Sequence, residues 1–237
     1  MSKLFIVPTP IGNLDDITLR ALNVLKEVEL ILAEDTRTSA VLLNHYDIKK
    51  PLTPFHKFNE HSVVEQIASK ISAGIDVALI SDAGTPGISD PGFLLVRSLV
   101  ERGVEVETLP GATAFIPALI NSGFPCDKFC FEGFLPHKKG KTKILQELAK
   151  EQRTIILYES PHRILKTLVM IQEIFTHNPQ ISVSRELTKM FEETLRGDAA
   201  TLITHFTENE PRGEFVVVIE GLKEEKKEQR SKYKPEE

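Results

Sequence analysis

The chain has 237 residues, of which 41% are hydrophobic and 27% are charged, and its formal net charge is −5. This composition is typical of a folded protein of one or two domains and excludes the disordered and fibrous classes. No apolar run approaches the roughly 18 residues that span a bilayer, and the start MSKLFIVPTP lacks a signal-peptide pattern, so we expect a cytoplasmic protein with no membrane partner.

Two series of short apolar runs, each bounded by turn residues, alternate with amphipathic stretches. The first series lies at 4–7, 30–33, 76–81 and 104–109, and the second lies at 129–134, 153–160, 181–187 and 214–221. Strands that alternate with helices favour parallel pairing through helical crossovers. The sequence therefore predicts two α/β domains with largely parallel or mixed sheets.

The turn-rich segment NSGFPCDK separates the two series and lacks hydrophobic periodicity. We therefore expect an N-terminal domain at 1–121 and a C-terminal domain at 122–222. Residues 223–237 carry six basic and five acidic side chains and are predicted to form a charged, flexible tail. Because the protein is acidic overall, any nucleic-acid site has to be a local basic patch.

Two helix starts are predicted from capping signals. Asp90 before Pro91 marks one start, and Ser160 before Pro161 marks the other. The second helix is expected to bury one apolar face, which consists of Ile164, Leu168, Ile171 and Phe175.

Three loops at predicted strand ends are the strongest candidates for a ligand site. SDAGTPGISDPG at 81–92 combines glycines, prolines and Asp82 after a buried strand, and this is more than a simple turn needs. VPTPIGNLDD follows the first strand and PGATA at 110–114 follows the fourth, so all three loops should converge on one crevice. The absence of GxGxxG and Walker patterns disfavours a dinucleotide site and a P-loop.

Charged residues follow three further predicted strands. AEDTR places Glu34, Asp35 and Arg37 at a strand end, where they are either functional or a helix N-terminus with an ion pair. YESPHR and SRELTKMFEE contribute the remaining charged candidates, namely Glu159, Arg163, Arg185, Glu186 and Lys189. Each of these segments is also compatible with a solvated helix start or a charged strand edge.

The segment FLPHKKGKTK is the best candidate for contacts with phosphates, although a run of lysines is also typical of a solvated helix start. Its four lysines are Lys138, Lys139, Lys141 and Lys143. The histidines show no paired metal-ligand spacing, so no metal is predicted, and the absence of a GxSxG elbow disfavours a hydrolase.

Taken in order, the motifs VPTPIGNLDD, AEDTR, SDAGTPGISDPG, PGATA, EGFLP, YESPHR, RELTK and GEFVVVI closely resemble the ribosomal RNA small subunit methyltransferase I family, within the tetrapyrrole methylase superfamily. The resemblance runs from about Leu4 to Gly221. It implies the two-domain, class III methyltransferase architecture, S-adenosylmethionine in the cleft between the domains, homodimerisation, and 2′-O-methylation of a cytidine in 16S ribosomal RNA. The substrate implied is the RNA or the 30S subunit. The N-terminal domain is expected to contain the acceptor side and the segment at 81–92, here called the donor loop.

The resemblance also implies a set of donor-binding residues. The segment after the third predicted strand supplies Ser81, Asp82, Ala83, Gly84 and Thr85, with Asp82 as the polar anchor. The remaining pocket residues are Pro8, Thr113, Ala114 and Tyr158.

Methyl transfer to a ribose hydroxyl needs in-line placement of the two reacting atoms and is helped by a base. The expected base is one of Asp35, Glu34, Glu159 and Glu186. Arg37, Arg185 and Lys189 are expected to hold phosphate or to orient those carboxylates. Two alternatives stay open, namely a methyltransferase that acts on a small tetrapyrrole and a non-catalytic RNA-binding assembly factor.

Overall fold

The computed structural model describes residues 2–137 and 139–223. The first half contains β1 (Leu4–Ile6), a short 3-10 turn (Leu14–Asp16), α1 (Leu19–Glu27), β2 (Leu30–Ala33), α2 (Thr36–His45), β3 (Leu52–Pro54), α3 (Glu60–Ser72), β4 (Val77–Ile80), α4 (Phe93–Glu101), β5 (Val106–Thr108) and α5 (Phe115–Ser122). The second half contains β6 (Phe129–Phe134), α6 (Lys141–Leu148), β7 (Thr154–Glu159), α7 (Ile164–Ile174), β8 (Ile181–Arg185), β9 (Glu193–Gly197), α8 (Ala199–Glu208) and β10 (Phe215–Ile219).

The first sheet has the strand order β3-β2-β4-β1-β5, and all of its neighbouring strands are parallel. The central strand β4 is buried along its whole length. Since parallel strands end at one edge, the loops after β1, β2, β4 and β5 start on the same side of the sheet. This edge carries three of the predicted ligand loops.

The second sheet has the order β6-β7-β10-β8-β9 and is mixed. β6 and β7 are parallel, and β10 pairs antiparallel with both β7 and β8. The predicted α/β class with largely parallel and mixed sheets is therefore confirmed.

Two edge strands were missed by the sequence reading, and each has a physical reason. β3 is only three residues long and contains Pro54, which a sheet tolerates only at an edge. β9 pairs antiparallel with β8 and is mostly polar. Its sequence therefore contains neither the continuous apolar run nor the apolar–polar alternation that predicts a strand.

Apolar cores cover both faces of each sheet. In the first sheet, Leu32 and Leu79 face α3 and α4, whereas Ile31 and Ile80 face α1 and α2. This division follows the two-residue period of a strand. In the second sheet, α6, α7 and α8 cover one face and α5 covers the other.

Helix α5 bears on the division into domains. It precedes residue 121 but packs on the second sheet, with Ala118 and Leu119 in the same core as Val216. The boundary near residue 121 stays a prediction, and these contacts favour a division before α5. Of the predicted tail, residues 224–237 lie outside the described part of the chain.

The predicted apolar face of α7 is confirmed, because Ile164, Leu168 and Ile171 are fully buried and Phe175 nearly so. The predicted helix starts are wrong by a few residues. Ser160 begins a turn that precedes α7, and Gly92 caps α4, so that Asp90 lies in the preceding loop. Among the described residues, no helix combines the length and the hydropathy needed to cross a membrane.

Candidate active site

A cavity of about 420 Å³ lies between the carboxyl edge of the first sheet and the second domain. Its volume is in the range of sites for small organic ligands. The structure brings many of the predicted site residues together around it, namely Glu34, Asp82, Ala83, Gly84, Thr85, Thr113, Ala114, Tyr158, Glu159, Glu186 and Lys189.

Hydrogen bonds join the three predicted ligand loops to one another. Thr9 and Gly84 form an isolated bridge, in which the Thr9 N–H donates to the Gly84 carbonyl at 2.9 Å and the reverse bond measures 3.0 Å. The Thr85 hydroxyl donates to the Ala112 carbonyl at 2.9 Å. Gly84 has a φ of +83°, which a residue with a side chain rarely adopts. The loops therefore form one continuous wall.

Two predicted donor-binding residues support this wall from behind instead of lining the cavity. Ser81 is buried, and its hydroxyl donates to the Gly84 carbonyl at 3.2 Å. Pro8 is buried against Gly111, where a Cβ atom would collide with its ring. Both residues fix the loop backbone.

The second domain contributes an aromatic wall. The ring centroid of Tyr158 is 5.4 Å from that of Phe134 and 5.1 Å from that of Phe131. Burial raises the pKa of Tyr158 to about 12, so its hydroxyl stays protonated at neutral pH. This surface is suited to a flat, mostly apolar ring system.

A cluster of carboxyl groups also lines the cavity. Glu34 follows β2, Asp82 follows the neighbouring strand β4, and Asp90 lies further along the donor loop. Burial, and then the charge of Asp82, raise the pKa of Glu34. Burial, and then the charges of Glu34 and Asp82, raise the pKa of Asp90 to about 7. Within the described residues no cation lies at ion-pair distance from these three groups, so a bound cation would relieve their mutual repulsion.

Comparison with known proteins identifies the family. The family model described as Tetrapyrrole (Corrin/Porphyrin) Methylases matches residues 3–203. A Synechocystis protein described as ribosomal RNA small subunit methyltransferase I is 50% identical over 222 residues, which cover 93% of this chain and 80% of that protein. A Thermotoga maritima protein of the same description is 49% identical over 221 residues, covering 93% and 99% of the two chains. The chain belongs to the ribosomal RNA small subunit methyltransferase I family.

Solved structures agree on the fold of this family member. Diphthine synthase matches with a TM-score of 0.73 at 11% identity, over 92% of this chain and 90% of that one. Cobalt precorrin-4 methyltransferase matches with a TM-score of 0.69 at 19% identity, over 92% and 94% of the two chains. The tetrapyrrole methylase-like architecture predicted from the sequence is confirmed.

Asp35 and Arg37 lie beside the cavity without lining it. Asp35 caps α2 by accepting the Arg37 N–H at 2.8 Å, and its carboxylate pairs with the Arg37 guanidinium at 2.6 Å. Hydrogen bonds from Arg37 lower the pKa of Asp35 to about 2. The geometry therefore corrects the expectation that Asp35 is a general base, because such a weakly basic carboxylate is a poor proton acceptor.

Glu159 has no free carboxylate lone pair for a substrate proton, because all of its hydrogen-bonding capacity is used. Its Oε1 atom accepts the Ser160 N–H at 2.9 Å and lies 3.2 Å from Arg163 Nε. Its Oε2 atom accepts the Thr167 hydroxyl at 2.6 Å and the Lys141 ammonium at 3.3 Å. Glu159 is only 2% exposed and is the centre of a buried structural network. Its predicted catalytic role is corrected accordingly.

The predicted phosphate-binding lysines do not act as one group. Lys141 is 7% exposed, and its ammonium donates to Thr167 and Glu159, so it cannot reach an RNA phosphate. The expectation for Lys141 is therefore wrong. Lys139 and Lys143 are exposed, and Lys138 lies outside the described residues.

The charged residues of the turn between β8 and β9 are paired with one another. Arg185 Nε is 2.9 Å from Glu193 across the hairpin, so its phosphate contact would compete with this ion pair. Lys189 Nζ is 2.9 Å from Glu186 Oε1. Burial alone would raise the pKa of Glu186, but the contacts with Lys189 and the Glu214 N–H outweigh burial, and its net pKa is lowered.

The same turn closes one side of the cavity. The Thr188 hydroxyl accepts the Asn13 N–H at 3.1 Å, which joins the second domain to the loop after β1. Gly12 faces Lys189 so closely that a Cβ atom would collide with the lysine side chain. A side chain at position 12 would displace the Lys189 side chain and crowd the Thr188 hydroxyl that accepts the Asn13 N–H.

The sequence reading missed Asp90 and Glu214 as cavity residues. Asp90 was interpreted as a helix-starting residue, and its place within the donor loop was the available signal. Glu214 reaches the cavity because β10 lies in the middle of its sheet, and no local pattern announces that position.

Proposed function

We propose that this chain transfers a methyl group from S-adenosylmethionine to the ribose 2′-hydroxyl of a cytidine in small-subunit 16S ribosomal RNA. The carboxylate cluster formed by Glu34, Asp82 and Asp90 is the observation that carries the proposal. A sulfonium donor bears positive charge beside its reactive methyl group, and these unpaired carboxylates favour a cation. The relatives that are described as ribosomal RNA methyltransferases supply the substrate class.

The cavity also has the shape that the donor requires. Backbone groups of the donor loop around Ala83 and Gly84 can hold the polar amino-acid part, and Thr113 and Ala114 extend the same wall. The aromatic wall at Tyr158 fits the adenine ring. S-adenosylmethionine, when bound, supplies an electrophilic methyl group.

Asp90 is the cavity carboxyl that best suits proton removal from the ribose hydroxyl. Within the described residues it receives neither a backbone N–H nor a cation, and the nearby Ser81 hydroxyl, which donates to the Gly84 carbonyl, lowers its pKa less than burial raises it. Its pKa of about 7 is close to the optimum for a base that works at neutral pH. We therefore assign the proton-accepting role to Asp90 in place of Asp35, Glu159 and Glu186, and we assign Glu34 to the electrostatic environment.

We further propose that the protein acts in the cytoplasm, on RNA or 30S subunits, as a homodimer. Exposed apolar side chains on α4, Phe93 and Val100, provide surface for contact with a second copy. The tetrapyrrole and non-catalytic alternatives receive no particular support from the cavity.

The decisive experiment measures transfer of labelled methyl from S-adenosylmethionine to purified 16S RNA and to 30S subunits. A ribose 2′-O-methyl group blocks alkaline cleavage at the modified nucleotide, so the position can be mapped directly. Transfer to a base, or transfer to a tetrapyrrole instead of RNA, would refute the proposal. Donor binding without transfer to any substrate would support the non-catalytic alternative.

Asp82→Asn is expected to weaken S-adenosylmethionine binding by about 10- to 150-fold, because a hydrogen bond to a charged group contributes roughly 1.5 to 3 kcal/mol. The asparagine retains an oxygen that can accept the Asp35 N–H, which Asp82 accepts at 3.0 Å. Calorimetry with S-adenosylhomocysteine, which lacks the sulfonium charge, should show a smaller loss. Equal losses for the two ligands would argue against a charge-based role for Asp82.

Replacing Lys139 and Lys143 together with alanine should weaken RNA binding and flatten its salt dependence. Each lost phosphate contact reduces the log-log slope by about 0.7 to 0.9. The matched control replaces Lys49, which is 85% exposed and precedes β3 at the opposite edge of the first sheet. An unchanged slope in the double variant would show that these two lysines are ordinary solvated surface residues that do not contact RNA phosphates.

A further inference from the structure

A basic and aromatic rim lies beside the cavity, and the proposed mechanism does not use it. It consists of Arg37 after β2 and of His56, Lys57 and Phe58 after β3. β2 and β3 are parallel neighbours, with the Phe55 N–H donating to the Ala33 carbonyl at 2.8 Å. Both segments therefore leave the same edge of the sheet as Glu34, which lines the cavity.

Phe58 is held in an exposed position by a well-anchored turn. Its side chain is 85% exposed, whereas the preceding Phe55 is buried. Asn59 fixes the turn, because its side-chain oxygen accepts the His56 N–H at 2.8 Å and its amide donates to the Pro54 carbonyl at 2.9 Å. An aromatic ring presented in this way is ready to bind a flat partner with little loss of conformational entropy.

The rim is a local cationic patch on an acidic protein. The Lys57 ammonium lies 5.1 Å from the centroid of the Phe58 ring, and within the described residues Lys57 forms no ion pair. The Arg37 side chain is 89% exposed, so its guanidinium reaches solvent even while it pairs with Asp35. Lys57 and His56 are close enough to Glu34 to offset part of the pKa rise that burial causes there.

We infer that this rim binds single-stranded RNA next to the methylated nucleotide, with Phe58 stacked on a base and with Lys57 and Arg37 at phosphates. The inference rests on the proposed function, since it places the rim beside the ribose that enters the cavity. Exposed aromatic rings beside cations are the usual surface for unpaired nucleotides, whose bases are free to stack. A duplex would offer phosphates without an accessible base face.

Phe58→Ala is expected to weaken binding of a fluorescent single-stranded oligoribonucleotide of about 12 nucleotides by roughly 5- to 150-fold. Phe58→Trp should retain the affinity, because the indole also stacks. Lys57→Ala should lower the log-log salt slope by about 0.7. The matched control is Ile120→Ala, which removes an exposed apolar side chain, 62% exposed, from the last turn of α5. Donor affinity, measured by calorimetry, should stay unchanged in all four variants.

The outcomes separate this inference from the proposed function. If the parent binds the oligoribonucleotide and methylates RNA while Phe58→Ala binds as tightly as Ile120→Ala, the rim inference is overturned and the proposed function stands. If the parent neither binds nor methylates RNA, both fail. If Phe58→Ala changes the sedimentation behaviour but not the RNA affinity, the rim is a contact between copies of the chain and the RNA inference is overturned.

Discussion

Asp90→Asn is expected to lower the rate of methyl transfer to RNA by about a hundred- to ten-thousandfold, the usual contribution of a positioned base. Asparagine has nearly the same shape as aspartate but cannot accept the proton of the ribose hydroxyl. The loss should appear mainly in kcat, with a smaller change in donor affinity, because the proton is removed in the transition state. Single-turnover measurements with saturating donor would separate this step from binding.

The pH dependence distinguishes a base from an orienting group. In the parent, the rate should fall as the pH drops and Asp90 becomes protonated, because its pKa is about 7. A bound cation beside this carboxyl would lower that pKa, so the acidic limb of the donor complex should lie below the limb of the free protein. Burial is the largest cause of the raised pKa, the charges of Glu34 and Asp82 come next, Ser81 opposes them, and the charge of Glu214 adds least.

Glu214→Gln is the matched control for this experiment. Glu214 lines the cavity but its side chain is 83% exposed, so its variant should keep the acidic limb. Asp90→Asn should both lower the rate of methyl transfer and remove the acidic limb of the pH–rate profile. The assignment of Asp90 fails if the asparagine variant, folded and loaded with donor, methylates RNA at the parental rate or retains the parental pH profile.

The same substitution should stabilise the fold at alkaline pH. The pKa of Asp90 is raised to about 7 in the folded protein. Between about pH 4 and pH 7 the folded state therefore holds a proton on this carboxyl that the unfolded state has released. The stability that this proton contributes is complete below the unfolded pKa of about 3.9 and is lost as the pH rises through 7. Asp90→Asn should therefore raise the melting temperature relative to the parent more at about pH 8 than at about pH 5. An equal shift at both values would contradict the raised pKa.

Strand ends could be located from the sequence because each depends on a local pattern. The apolar run before Asp82 and the apolar run before Glu34 both end at the edge of a parallel sheet, and that topology brings the two residues together. The resemblance to a methyltransferase family then indicated that the ligand at this edge is S-adenosylmethionine. Neither pattern required knowledge of distant contacts.

Side-chain partners could not be located in the same way. Lys141 and Lys143 are two residues apart in one lysine-rich segment, yet Lys141 is buried and Lys143 is exposed. The difference arises from Glu159 and Thr167, which come from β7 and α7 and meet Lys141 only after the second domain has folded. Likewise, the carboxylate most perturbed in the cavity is Asp90, and its pKa depends on neighbours in two other segments. A sequence shows which residues can carry a charge. Their burial and their ion-pair partners are known only once the fold is known.

Glu159→Ala is expected to lower the free energy of unfolding by about 3 to 5 kcal/mol, because it leaves a buried ammonium without its partner. Lys141 is 7% exposed, and burial, the largest effect on it, lowers its pKa while the charge of Glu159 opposes that change. The carboxylate also ties the turn that begins at Ser160 to Arg163. Chemical denaturation of the parent and the variant would measure the loss.

Two further variants show whether the ion pair itself causes this effect. Replacing Lys141 with methionine together with Glu159→Gln removes both charges, and it should recover much of the stability because a buried pair is often replaceable by uncharged groups of similar volume. Glu101→Ala breaks the exposed Arg97–Glu101 pair and should have little effect, since water already solvates both groups. If the double variant is no more stable than Glu159→Ala alone, the loss comes from the hydrogen bonds to Ser160 and Thr167, and the pairing of Lys141 with Glu159 is not what holds this part of the second domain together.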